Sequence, residues 1–285
     1  MEAISLLGDS LRRPALDTAV ERRLRAQYEQ ARDLARARPD DADALIWHGR
    51  RLAYLGDYRG AIALFGDGVR RHPTDARFLR HRGHRWISVR QLDSAVADLE
   101  AAARLVRGRP DEVEPDGMPN ARNVPTSTLQ SNVWYHLALA HYLRGDFARS
   151  HDAWREAMLV SRNPDMQVAT AHWLYMTLRR LGRTAAADSV LAPISRDMDV
   201  IENGAYHRLL LLYKSELPAD SLLPPAALAD PAAPLDPAVA YGVGNWHLYE
   251  GRPDEARRIF RRLLATGQWA AFGFIAAEAE LARAR

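Results

Sequence analysis

The chain has 285 residues, enough for two ordinary domains or one elongated repeat array, and its apolar share of 47% supports a sizeable core. Its formal net charge is only +3, carried almost wholly by arginine; with abundant alanine this reads as high-GC bacterial coding rather than a basic stripe, so no nucleic-acid partner is expected. Cysteine is absent, which excludes disulfides, thiolate metal sites and thiol nucleophiles.

No apolar run is long enough to span a membrane. Met1 to Leu7 lack the basic and apolar regions of a signal peptide. The compartment therefore stays open: cytoplasmic as written, periplasmic or exported if a signal peptide was removed. Residues 1–41 read as an N-terminal segment with a capping helix, Leu16 to Arg38, whose Leu24, Tyr28, Ala31 and Leu34 share one face before Pro39-Asp40-Asp41.

Self-similarity begins at residue 42. Gly49 and Gly83 are 34 residues apart, as are Ala61 and Ala95, and Phe65 and Leu99. Each segment reads as two amphipathic helices joined by a tight turn, Gly56-Asp57-Tyr58 in the first and the weaker Arg90-Gln91-Leu92 in the second. The pattern returns through Trp134, Leu137, Ala138 and the turn Gly145-Asp146-Phe147. It returns again through Ala171, Leu174, Tyr175 and Gly182, and last through Gly244, Gly251, Ala256 and Phe260. Pro73 and Pro164 are placed as closing their repeats.

These residues resemble the tetratricopeptide repeat family: small residues mid-helix (Gly49, Gly83, Ala138, Gly244), turn glycines, and Ala61, Ala95, Ala187 and Ala256 in the second helices. The resemblance implies an all-α solenoid of antiparallel helix pairs, a tetratricopeptide-like superhelix, over residues 42–284. Repeats are placed near 42–75, 76–107, 131–164, 168–201, 202–236 (irregular) and 237–270, with a capping helix at 271–284. Phe65 and Phe260 are expected to plug the space between neighbouring repeats, since no single pair buries its own faces.

Two segments break the array. The loop 108–130 contains four prolines, which preclude a helix over most of it, and the acidic run Asp111, Glu112, Glu114, Asp116. Ser127 to Gln130 has capping-box spacing, so a helix restarts there. The loop is either a solvated surface segment or a lid that grips a ligand; rigid prolines with Asn120, Arg122 and Asn123 favour the lid. The second break, Pro218 to Pro237, reads as an irregular crossover in place of the second helix of the fifth pair.

The family resemblance implies that the first helix of each pair lines the inner groove. It maps Ile46, Trp47 and Arg50 inward, then Arg77, Arg80, His81 and His84, then Asn132, Tyr135, His136 and Tyr142. Further along it maps His172, Trp173, Met176 and Arg179, then Asn203, Tyr206, His207 and Tyr213, then Tyr241 and Asn245. The candidate ligand-binding set is Arg50, Arg80, His81, His84, Tyr135, His136, His172, Trp173, Tyr206 and His207; Glu112, Glu114, Asp116, Asn120, Arg122 and Asn123 join it from the loop. Guanidinium and imidazole donors between aromatic walls suit an anionic or polyhydroxylated ligand. A lone histidine is more often structural, and the remaining histidines are read that way.

Co-chaperone members of the family grip a C-terminal carboxylate with a lysine/asparagine clamp. Ile46 and Arg50 stand at two clamp positions, so that role is not expected. No phosphate loop, nucleophile elbow or dinucleotide fingerprint occurs. His81 and His84 with His136 or Glu114 make only a weak metal pattern, so neither metal nor cofactor is expected. If the chain is an enzyme, Glu112 or Glu114 with His136 or His172 would form the acid/base pair. The leading expectation is a scaffold holding a peptide or partner-protein segment in a polar groove. The alternative is a small anionic or polar ligand, bound or turned over, under the acidic loop.

Overall fold

A computed structural model describes residues 1–284. Nearly all regular structure is helical, and seven of the helices start where the sequence supplies a side-chain oxygen for the first amides. Asp17, Asp41, Asp57, Asp75, Asp146, Asn163 and Asp236 all accept from backbone N–H groups one turn ahead. Contacts divide the chain into two units: residues 1–119 with 128–140, and residues 120–127 with 141–285.

The first unit opens on a short hairpin, β1 (Ala3–Ile4) against β2 (Ser10–Leu11), which no sequence signal announced. Helix α1 (Thr18–Ala37) packs on α2 (Ala42–Tyr54), which pairs with α3 (Tyr58–Arg71); α4 (Ala76–Ser88) packs on α3 and pairs with α5 (Leu92–Val106). Leu24 is buried on α1, whereas Leu34 is exposed; Ala35 takes the inward position beside it, so the buried stripe is narrower than the sequence pattern. Both pairs turn through the left-handed region at equivalent places. Gly56 has φ +78°, and 34 residues later Arg90 has φ +63°. Arg90 is held there by donating from Nη1 to the Ser88 carbonyl at 2.6 Å.

The mid-helix glycines set how closely a pair crosses. A Cβ on Gly49 would lie 2.5 Å from Phe65, and one on Gly83 would lie 2.6 Å from Leu99. Phe65 therefore fills the crossing within its own pair as well as reaching the next, where it stacks on His81 at 5.3 Å. Alanine favours a helix over glycine by about 1 kcal/mol, but overpacking a core costs about 1–3 kcal/mol. Phe65 is 1% exposed and has nowhere to move. Gly49→Ala is thus expected to lower stability. Gly66→Ala, whose Cβ meets just the flexible ends of Arg82 at 3.4 Å and Arg70 at 4.0 Å, is expected to raise it by up to about 1 kcal/mol. Urea midpoints of the two variants check the opposite signs.

The chain leaves α5 into the loop and re-enters a helix at α6 (Leu129–Arg144). The reciprocal cap sits one residue later than the sequence spacing indicated. Thr128 N donates to Ser131 Oγ at 2.8 Å, and Ser131 N donates to Thr128 Oγ1 at 3.2 Å. An isolated bridge pairs Val113 with Thr128, and the Glu112 carbonyl accepts from Leu129 N at 2.8 Å, so the loop is tied to the helix start.

In the second unit, α7 (Phe147–Val160) packs on α8 (Pro164–Arg180), which pairs with α9 (Thr184–Leu191). Pro164 occupies the first turn of α8: it opens a repeat rather than closing one, because its missing N–H costs nothing there. Helix α10 (Gly204–Tyr213) packs on α8 and on α13 (Pro237–Tyr249). Between them the proline-rich crossover forms two short turns, α11 (Ala219–Leu222) and α12 (Pro225–Ala229). Helix α14 (Pro253–Leu264) pairs with α13, and α15 (Phe272–Arg283) covers both. Gly244 again meets a phenylalanine at the crossing, with Phe260 2.5 Å from its would-be Cβ. No helix among the described residues is long and apolar enough to cross a membrane.

Candidate functional site

In the first unit, α2, α4 and the start of α6 direct arginine and histidine side chains at the inserted loop. Arg80 and Arg50 are buried, and Glu114 of the loop is set beside them. Arg80 Nε lies 3.0 Å from Glu114 Oε2, and Asn132 Nδ2 donates to the same oxygen at 3.2 Å. Arg80 Nη1 donates to His81 Nδ1 at 2.9 Å. An arginine cannot accept, so His81 carries its proton on Nε2, which faces Glu114 Oε1 at 3.8 Å. His136 Nδ1 donates to the Asn132 carbonyl at 2.6 Å, leaving Nε2 as its acceptor. The rings of His84 and His136 lie 4.3 Å apart, and Tyr135 meets His136 edge-on at 5.6 Å.

Burial and the neighbouring guanidinium groups hold all three imidazoles neutral. Desolvation is the larger cause in each, and it pushes His81, His84 and His136 well below the usual range; Arg80 and Arg85 push the same way. Burial also lowers Arg85 to about 10, still protonated at neutral pH.

The loop lies on these helices through its main chain. Arg50 Nη2 donates to the Pro115 carbonyl at 2.8 Å, and Arg51 Nη1 donates to the Gly117 carbonyl at 2.9 Å. Gly117 sits flat on Tyr54: a Cβ there would fall 1.8 Å from the phenol oxygen, so no larger residue fits this path. Beside Glu114 a cavity of about 120 Å³ is lined by Arg50, Tyr54, Arg80, His81, His84 and Arg85.

Arg85, Arg51 and Tyr54 were missed by the sequence mapping. The i, i+4 relation of His81 to Arg85 and of Arg50 to Tyr54 was the available signal. Glu112 is exposed and lines a wider cavity of about 520 Å³ with Asp43, Asp75, Arg77 and Asp111. There Arg77 already pairs with Asp43 at 2.5 Å and Asp75 at 2.6 Å. Asp116 is half-buried. No three of the described histidines and carboxylates are arranged to hold a metal ion.

The second unit receives the rest of the loop and the other mapped aromatics. Asn120 Nδ2 donates to Glu202 Oε1 at 2.5 Å, Thr126 Oγ1 donates to Glu202 Oε2 at 3.0 Å, and exposed Arg122 pairs with Asp199 at 2.8 Å. Asn123 is a turn residue at φ +53°. His172 is fully buried, stacked on Tyr206 at 4.6 Å and on Tyr213 at 5.8 Å, and burial lowers it to about 3. Trp173 stacks between Trp154 and Tyr241, at 6.3 and 5.7 Å. His207 stands apart from that stack and is fixed by a 2.7 Å contact from Nε2 to the Ser195 carbonyl.

The acid/base pairs that the sequence suggests, Glu112 or Glu114 with His136 or His172, are not the contacts that form. His81 is an imidazole facing Glu114, with Nε2 3.8 Å from Oε1. Glu112 points to solvent, and His172 belongs to the second unit's core.

No protein-family model matches this sequence, and no curated protein matches it. Solved structures do. A chain of the Cut9–Hcn1 hetero-tetramer of the APC/C matches over 86% of this chain and 43% of its own length, at 15% identity and TM-score 0.51. YrrB, a tetratricopeptide protein described as having an unusual peptide-binding site, matches over 85% and 93% at 13% identity and TM-score 0.47. The tetratricopeptide domain of P58(IPK) matches over 93% and 66% at 10% identity and TM-score 0.29. The chain thus has a helical-repeat fold of the tetratricopeptide type.

Proposed function

We propose that the chain is a binding scaffold whose first unit holds an extended peptide or partner-protein segment against α2, α4 and the start of α6. One observation carries this reading: Arg50 and Arg51 grip the Pro115 and Gly117 carbonyls, which any extended chain would present. Main-chain recognition of this kind gives affinity, and the charged pocket beside it gives selectivity.

The test compares two faces. Arg50→Ala with Tyr135→Ala alters the inner face, and Arg258→Ala with Arg261→Ala alters exposed positions on α14. Each chain is used to recover partners from its native cell, and affinity for a recovered partner is measured by titration. The inner-face variant is expected to lose about tenfold or more in affinity, since a few anchors dominate such interfaces. Equal losses from both variants, or none from the first, would remove this face from the binding site.

A further inference from the structure

Three guanidinium groups, Arg50, Arg80 and Arg85, line the cavity beside Glu114, and the three imidazoles beside them are neutral. Arg85 sits over the Tyr58 ring at 5.3 Å and has no carboxylate partner among the described residues. The carboxylate that is present does not come from the repeat helices. It is delivered by the inserted loop, on a stretch whose main chain is gripped at two carbonyls and whose Gly117 permits close approach to Tyr54.

We propose that Glu114–Gly117 is a resident self-ligand, occupying a subsite for an acidic extended segment of a partner protein, and that such a segment replaces it. Three features converge on this occupant. The subsite has an excess of positive charge, so it selects a carboxylate-bearing segment. Its donors reach main-chain carbonyls, so it selects an extended chain over a free anion. The cavity left beside Glu114 gives room for a second acidic group facing Arg85. The inference rests on the scaffold reading above and adds the chemistry of the partner.

A tethered loop competes at an effective concentration of order millimolar, so a segment in trans is held off until the loop's grip is weakened. The probe is a labelled, end-blocked peptide copying residues 112–118, Glu-Val-Glu-Pro-Asp-Gly-Met. Its binding is measured by fluorescence anisotropy on the full chain and on Glu114→Gln. Glu114→Gln is expected to bind the peptide about tenfold or more tightly than the unaltered chain does. A peptide with glutamine at its third position is expected to lose about tenfold, and Arg80→Met in the Glu114→Gln chain is expected to weaken the parent peptide.

On the unaltered chain, peptide at millimolar concentration is expected to accelerate amide hydrogen exchange over residues 113–118 as the loop leaves. This measurement stands if Glu114→Gln does not fold. Equal peptide affinity for the two chains, equal binding of the glutamine peptide, or unchanged exchange would each overturn the proposal. So would displacement of the peptide by free glutamate or inorganic phosphate at equal concentration, which would make the subsite one for small oxyanions. The outcomes separate from those of the scaffold reading. If only that reading fails, partners ignore the inner-face variant while the peptide still binds in trans. If only this one fails, partners are lost but the peptide shows no preference.

Discussion

Lowering the pH from 7.5 to 5 is expected to unfold this protein well above the range in which carboxylates titrate. His81, His84, His136 and His172 are held below their ordinary value by burial, His172 at about 3. Above about pH 6.5 neither the folded nor the unfolded chain protonates them, so they leave stability unaffected. As pH falls through 6.5 the unfolded chain takes up protons and the folded one does not. The unfolded state then binds more protons, and stability falls. Each histidine removes about 2 kcal/mol by pH 5, and four together about 8 kcal/mol, comparable with the whole stability of a typical domain. For His172 the loss ends near pH 3, where the folded chain protonates too. Urea midpoints at pH 7.5, 6.5, 5.5 and 5 check this. His172→Phe keeps a ring between Tyr206 and Tyr213, and should make the decline shallower by about 1.4 kcal/mol per pH unit. A midpoint that stays level from pH 7 to 5 would mean that these imidazoles protonate in the folded chain.

The repeat was legible because its signals are local and steric. Gly49, Gly83 and Gly244 recur where helices cross, and a 34-residue period is hard to produce otherwise. Where the sequence misled, a local sign had two readings. Pro164 serves equally well to end one element or to begin the next, and only the backbone decides. Leu34 and Ala35 differ by one step round a helix, and α2 selects which is covered. The β1–β2 hairpin of two-residue strands carries no periodicity at all.

The site was partly legible. Mapping helix positions found Arg50, Arg80, His81, His84 and His136, which the fold brings together, because equivalent positions in stacked pairs are neighbours in space. It could not show that Glu114 is an acid that meets them while Glu112 stays exposed. Pro110 and Pro115, on either side of Glu114, restrict the loop's path, and a path is a tertiary property. Nor could it separate His172 from the rest: its position repeats that of Tyr135 and Tyr206, but it is enclosed by aromatic rings.

Glu114→Ala is expected to destabilise the chain by about 3–5 kcal/mol, the cost of leaving a buried partner charge uncompensated. Arg80 is 7% exposed, and the substitution takes away its carboxylate and an acceptor of Asn132. Glu112→Ala, two residues earlier and exposed, is expected to stay within about 0.5 kcal/mol of the unaltered chain. Urea denaturation of the two variants isolates what the pocket asks of its acid. Adding Arg80→Met to Glu114→Ala should recover part of the loss, because it removes the stranded charge and its repulsion of Arg50. Full additivity of the two substitutions would mean that the pair does not interact. The expected cost also bounds the loop's hold on the groove. A grip of a few kcal/mol keeps the loop seated at rest, yet an acidic segment that makes the same contacts and also engages Arg85 is able to exceed it.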